Sequence, residues 1–422
     1  MRKRRAVLCM SMALAAVGVV TACAYAAQDN QVARDSEDFS AIERGHYLTI
    51  VGDCAACHTG PDGKPLAGGR PIETPFGYLR SPNITPDRQT GIGQWSDDEF
   101  VSAMSKGVGR DGRHLYPGMP YTYYDKVDRK DLLAIRAYLQ TIAPVRKAVD
   151  VNQLHFPFNI RASMIAWDAL FFHPAPFKPK AEKSADWNRG AYLVEGLMHC
   201  GACHTPKNVL GADEASATFK GSPLQGWFAP NLTTDQAKGV GAWSDDDLIT
   251  FLKTGHNRMA DASGPMAEVV ARSTSQMTDA DLRAVTTYLR DQTPPPPSMA
   301  TPLAPDDGAV KIGAAIYRDE CSACHKADGH GVAGLFPALA HAPFVVSDDP
   351  TSLLHVVLRG GQSVATDAAP TSPAMPPFGW LLTDEQAAAV VTYIRNSWGN
   401  VASKVDADTV AHERADLAKR TD

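Results

Sequence analysis

The sequence predicts a mainly α-helical protein of three small tandem units. Three observations predict it: a Cys-x-x-Cys-His string that occurs three times, shorter motifs that return at constant spacing, and an amphipathic helix closing each unit. A chain of 422 residues has room for units of about 100–150 residues each. Hydrophobic residues at 44% and charged residues at 21% give an ordinary globular balance, which excludes a disordered chain.

At the N-terminus, Met1-Arg2-Lys3-Arg4-Arg5 is a basic head and Ala6 to Val20 an almost uncharged apolar run. This is the pattern of an export signal over residues 1–26, too short for a permanent membrane span, and it points to the periplasm. Two processing sites stay open. Ala24-Tyr25-Ala26 fits ordinary cleavage before Ala27, while Val20-Thr21-Ala22-Cys23 fits a lipoprotein box that would lipidate Cys23. No later stretch approaches the roughly 20 apolar residues of a transmembrane helix. Removing the leader takes away four positive charges and moves the net charge from −6 to about −10. So acidic a chain has no electrostatic reason to seek nucleic acid or anionic lipid.

The three units are expected at residues 40–150, 186–293 and 306–398. Arg44-Gly45-His46-Tyr47-Leu48 in the first returns as Arg189-Gly190-Ala191-Tyr192-Leu193 in the second. Ser81-Pro82-Asn83-Ile84-Thr85 returns as Ala229-Pro230-Asn231-Leu232-Thr233, and Trp95-Ser96-Asp97-Asp98 as Trp243-Ser244-Asp245-Asp246, both 148 positions on. Ser96 and Ser244 read as helix N-caps with acidic residues in the first turn. Trp95 and Trp243 read as core or cavity-wall residues. Closing helices are expected over 128–141, 278–291 and 383–398, capped by Asp128, Thr278 and Thr383, with Tyr138, Tyr288 and Tyr393 at equivalent apolar positions. Long Gly/Pro-rich loops precede them, and little reads as strand.

The connectors differ in kind. Residues 294–305 contain the run Pro294 to Pro297, a semi-rigid polyproline spacer. Residues 151–185 are apolar, and Phe156 to Phe172 within them reads either as an amphipathic helix for a partner or membrane surface, or as packing between the first two units. The tail, 399–422, is polar and helical in part.

Of eight cysteines, Cys9 and Cys23 belong to the leader. The other six are Cys54, Cys57, Cys200, Cys203, Cys321 and Cys324, each pair followed at once by His58, His204 or His325. Two thiols so spaced can each form a thioether to a haem vinyl group, and the adjacent histidine then stands beneath the iron. A dithiol redox motif needs no following histidine, and zinc knuckles pair two such motifs closely, whereas these start 146 and 121 residues apart. The reading is three covalently bound haem c groups. A porphyrin supplies core that so short a helical unit lacks.

A methionine as sixth ligand favours electron transfer over reaction at an open iron. Met119 in Pro117-Gly118-Met119-Pro120 and Met375 in Pro373-Ala374-Met375-Pro376-Pro377 stand in matching frames, where prolines can fix an extended loop. In the second unit Met266, in Gly264-Pro265-Met266, lies 62 residues after His204, as Met119 lies 61 after His58. Met259, Met277 and His256 are its rivals. The remaining histidines, among them His46, His114, His155, His173, His199, His330, His341, His355 and His412, read as surface or satisfied core residues. No group reads as a general acid, a nucleophile or a phosphate cradle, so no catalytic residue is assigned.

Over its whole mature length the pattern resembles the three-haem cytochrome c subunit of bacterial membrane-associated dehydrogenases, of the quinoprotein alcohol and flavin-dependent gluconate and fructose types. The resemblance rests on Gly52-Asp53-Cys54-Ala55-Ala56-Cys57-His58-Thr59, Asn83-Ile84-Thr85-Pro86-Asp87 and Leu115-Tyr116-Pro117-Gly118-Met119-Pro120-Tyr121. It continues with His199-Cys200-Gly201-Ala202-Cys203-His204-Thr205-Pro206, Gly264-Pro265-Met266-Ala267-Glu268-Val269-Val270 and Val345-Val346-Ser347-Asp348-Asp349-Pro350-Thr351-Ser352. It implies three tandem class I cytochrome c domains, each wrapped around one haem, with Met119, Met266 and Met375 as distal ligands. It also implies a partner subunit that oxidises an alcohol, sugar acid or aldehyde with PQQ, flavin or molybdenum. This chain would pass the electrons to ubiquinone at the periplasmic face of the inner membrane. A free periplasmic shuttle to a terminal oxidase is the alternative, and a haem peroxidase a third reading that the framed methionines oppose.

Overall fold

The computed structural model describes residues 39–296 and 301–420. The export signal with Cys9, Cys23 and its two cleavage sites, and Pro297 of the linker, lie outside the described residues. The rest is mainly helical with short strands, as expected.

Each Cys-x-x-Cys-His string follows an opening helix that crosses a closing one. Phe39–Val51 crosses Arg129–Thr141, Ala185–Tyr192 crosses Asp279–Leu289, and Gly308–Ile316 crosses Asp384–Ile394. One glycine makes every crossing possible. A Cβ on Gly45 would stand 1.8 Å from the Ala134 carbonyl oxygen, on Gly190 2.0 Å from that of Ala284, and on Gly313 2.1 Å from that of Ala389. Any side chain there would prise the backbones apart. A π-helical turn, Leu193–Leu197 or Tyr317–Cys321, leads from the second and third opening helices into the string. In the first unit Asp53 takes that role in a left-handed conformation, φ 49°.

The caps follow the expectation at four of five places. Ser96, Ser244 and Thr383 each form a full capping box, with Glu99, Asp247 and Gln386, and the Thr278 side chain accepts from the Asp281 amide. Asp128 holds the N-cap position but its side chain makes no cap bond. Its own amide instead donates to the Tyr192 hydroxyl at 3.2 Å, a partner supplied by the second unit. The third closing helix ends at Ile394, short of 398, and the chain turns at Trp398 with φ 55°.

The connector is tied to the first unit. Asn152–Leu154 adds a third antiparallel strand to Pro71–Thr74 and Gly77–Arg80, with Gly77 opposite Leu154. The helix Ser163–Phe171 buries Trp167 against Tyr121, and the indole Nε1 donates to Leu210 of the second unit at 2.9 Å. Phe156, Ile165 and Leu170 stay exposed. The tail forms the helix Ala407–Leu417, which packs Val410 and Leu417 on the third unit.

The apolar interior is divided unevenly. Leu48, Val51, Leu132 and Ile135 of the first unit and Leu193, Leu197, Leu282 and Val285 of the second belong to one continuous core. The third unit has its own, built around Leu354, Val391 and Ile394. Among the described residues no helix is long and apolar enough to cross a membrane.

Candidate functional site

The strings form short helices, Cys54–His58, Gly201–His204 and Ser322–His325, so both cysteines and the histidine lie within little more than one turn. In each, the histidine Nδ1 donates to a proline carbonyl: His58 to Pro82 at 2.8 Å, His204 to Pro230 at 2.7 Å, and His325 to Pro337 at 3.0 Å. A carbonyl only accepts, so the proton is fixed on Nδ1 and the Nε2 lone pair is left for a metal. Burial holds all three imidazoles below the ordinary histidine value, His204 down to about 4. They are neutral at neutral pH.

Pro82 and Pro230 are the second residues of the repeated Ser-Pro-Asn and Ala-Pro-Asn motifs. The next residue sets their direction, since the Asn83 and Asn231 side chains accept from the amides of Thr85 and Thr233 at 2.9 and 2.7 Å. This turn aims the proline carbonyl at the ring. The repeat was legible in the sequence; its service to the histidine was not.

The thiols oppose a redox dithiol. Burial pushes Cys54 and Cys200 up to about 12 and Cys321 up to about 11, whereas attack on a disulfide needs a lowered thiol. Among the described residues no three His, Cys, Asp or Glu side chains converge as a zinc site would require.

A cavity of about 400 Å³ with largely apolar walls runs through the second and third units, lined by His204 and Met266 and by His325 and Met375. Trp243 lines it edge-on to Phe251. Met266 stands in the first turn of the helix Gly264–Arg272, started by Pro265. Met375 is pinned in a two-residue strand opposite Gly361. Of Met266's rivals, Met259 also lines the cavity, but its sulfur lies 3.3 Å from Arg258 Nη1. Met277 is buried in the shared core. His256 turns away, donating from Nε2 to the Val364 carbonyl at 2.7 Å with Asp261 3.2 Å from Nδ1. Met119 packs, half-buried, between the shared core and the Tyr121–Trp167 cluster.

Three further groups were given no role by the sequence, although Arg44, Tyr47, Arg189 and Tyr192 of the first stand in its repeat. Tyr47 donates to Asp281 at 2.7 Å and Tyr192 to Asp131 at 2.7 Å, each across the boundary between the first two units. Those carboxylates are also gripped in bidentate fashion by Arg189 and Arg44. Between the second and third units Trp227 stacks on His355 with centroids 3.9 Å apart, and His355 Nδ1 donates to the Gly226 carbonyl at 3.0 Å. Beside Cys54, burial and then the neighbouring Glu268 raise the Asp53 carboxyl to about 8.

In the second and third units a methionine lines the same apolar cavity as the histidine, whereas His58 and Met119 of the first do not line it. Paired thiols a turn ahead of a neutral histidine, its Nδ1 held by a carbonyl, match the donor set of a c-type cytochrome, a domain that carries covalently bound haem c. The comparisons with known proteins agree. The cytochrome c family model matches residues 42–143 and 310–398, and the model for cbb3-type cytochrome c oxidase subunit III matches 185–289. The chain is 41% identical over 406 residues to the gluconate 2-dehydrogenase cytochrome c subunit of Pantoea cypripedii, covering 91% of this chain and 92% of the relative. It is 39% identical over 384 residues to the cytochrome c subunit of the quinone-type alcohol dehydrogenase of Gluconacetobacter polyoxogenes, covering 86% and 82%. It is also 39% identical over 401 residues to the fructose dehydrogenase cytochrome subunit of Gluconobacter japonicus, covering 89% of this chain and 82% of the relative. The chain belongs to the family of electron-transferring cytochrome c subunits of dehydrogenases.

Proposed function

We propose that this chain carries three haem c groups and passes electrons singly from a catalytic dehydrogenase subunit to ubiquinone, at the periplasmic face of the inner membrane after export. The domains are residues 40–150, 186–293 and 306–398, and the iron ligands are His58 with Met119, His204 with Met266, and His325 with Met375. The observation that carries this is the threefold recurrence of one device, a Cys-x-x-Cys-His histidine whose Nδ1 donates to a proline carbonyl.

Bound haem supplies one-electron chemistry at its iron. The residues of the chain do the rest. The prolines hold each imidazole in one tautomer and orientation, the apolar walls of the second and third units keep water out, and Met119, Met266 and Met375 would hold the iron together with the histidines and would favour its reduced form. The relatives serve gluconate, alcohol and fructose dehydrogenases, so the substrate belongs to the partner subunit, with a PQQ, flavin or molybdenum cofactor of its own.

Gentle detergent purification from native membranes, with haem counting by pyridine haemochrome, tests the proposal. Three haems per chain, a large co-eluting subunit, and haem reduction by one of a panel of alcohols, sugar acids and aldehydes are the expected result. A lone cytochrome that no substrate reduces would make the chain a free shuttle instead.

A further inference from the structure

We propose that Arg70, Glu268 and Arg272 form a positioning bridge that couples the first haem centre to the second. It rests on the ligand reading above for His58 and Met266. Glu268 stands two residues beyond Met266 on the same helix, so its carboxylate moves with that distal ligand. Glu268 Oε1 accepts from Arg70 Nη1 at 2.5 Å, and Arg272 Nε lies 3.1 Å from the same oxygen one helical turn away. The same Arg70 nitrogen donates to the Ala56 carbonyl at 2.9 Å, and Arg272 Nη1 donates to the Ala55 carbonyl at 3.2 Å. Ala55 and Ala56 are the two residues between Cys54 and Cys57. Two guanidinium groups joined by one carboxylate therefore tie both intervening carbonyls of the first string to the distal-ligand helix of the second unit.

The other strings are held differently. In the second unit the corresponding Gly201 carbonyl takes Lys207 Nζ at 3.1 Å, from six residues along its own chain. The bridge to the first string spans 198 positions between Arg70 and Glu268, and 217 between Arg272 and Ala55. A carbonyl at the end of a short helix needs some donor; it does not need one from another unit's ligand helix. Ser273, next to Arg272, adds a buried bond to the Val51 carbonyl at 3.0 Å, so this end of the helix is locked to the first unit at several points. The bridge fixes where the first centre lies relative to the second and places two positive charges and one negative beside both.

The sign of the electrostatic effect gives the test. Redox titration of the full-length holoprotein resolves its haem centres by midpoint potential. Glu268→Gln leaves two guanidinium groups without their counter-charge, so two centres become easier to reduce while one stays put. Arg272→Gln moves the same two the opposite way. Each shift is expected to change the reduction equilibrium about tenfold, about 59 mV for a one-electron couple. Arg272→Lys keeps the charge but loses the planar fork; potentials hold while electron exchange between the two shifted centres slows in flash photolysis. Full haem content with all potentials and exchange rates unmoved, or an equal shift of every centre, overturns the bridge. Fewer than three haems in the parent protein would instead overturn the reading on which it rests.

Discussion

Between the first and second units, Tyr47 and Tyr192 cross in opposite directions, each to a carboxylate that an arginine of the other unit already grips. Between the second and third, Trp227 lies flat on His355, His256 meets Val364, and the Phe228 amide donates to Ser352 Oγ at 2.7 Å. The first junction is continuous with one apolar core; the second joins two cores through polar contacts, a small apolar cluster of Ala262, Val270 and Val364, and a shared cavity. The reason can be traced in the repeat. Where the first two units have Arg44 and Arg189 before the crossing glycine, the third has Ile312. Where they have Tyr47 and Tyr192, it has Ala315, and where they have Asp131 and Asp281, three residues past the cap, it has Gln386. One helix-pair architecture thus serves two kinds of junction, and three side chains decide which.

Substitutions can break this contrast. Asp281→Ala strands Arg189 and Tyr47 without their shared acceptor, and breaking such a part-buried ion pair costs about 3 kcal/mol. Calorimetry should show the transition of the first two units falling while that of the third holds. A common fall of both transitions would mean that the cores are not independent. Tyr47→Phe and Tyr192→Phe should each cost about 1.5 kcal/mol, the worth of a hydrogen bond to a charged group, and equally if the two crossings are equivalent. Trp227→Ala should leave that transition in place and instead make the linker around residues 294–305 easier to cut with protease. The smallest effect lies in the tail. Burial, then Asp416, raises Glu413 to about 7 from its ordinary 4.5. Between those values the folded chain keeps a proton that the unfolded chain has lost, so the third unit loses stability as pH rises through that window. Glu413→Gln should remove this slope, read as a melting temperature that changes less between pH 5 and pH 8 than in the parent.

Much of the site was legible because its chemistry is local. Cysteine, cysteine and histidine within five positions, a serine or threonine three before an acidic or amide residue, and a methionine beside proline announce themselves without a fold. What escaped notice is what the fold brings together. Asp128 looks like a cap from its neighbours, yet its amide is satisfied by a tyrosine 64 positions away. Arg70, Arg272, His256 and His355 occupy ordinary-looking positions, and their partners lie 108 to 217 positions off. The Ser-Pro-Asn repeat stands between these cases. It was visible as a repeat, but a backbone carbonyl carries no sequence signature, so its service to His58 and His204 needed coordinates.

The crossed tyrosines carry a last consequence. Residue i touching j while the equivalent of j touches the equivalent of i is the contact of an isologous, two-fold symmetric dimer. This chain holds such a dimer within one polypeptide. In a true homodimer every substitution at the interface is felt twice, once on each side of the axis, and neither side can specialise alone. Covalent fusion lifts that constraint. The two halves have used the freedom at the residue between arginine–glycine and tyrosine: His46 stands over Tyr138 with centroids 4.6 Å apart, while its counterpart Ala191 is a small residue buried in the core.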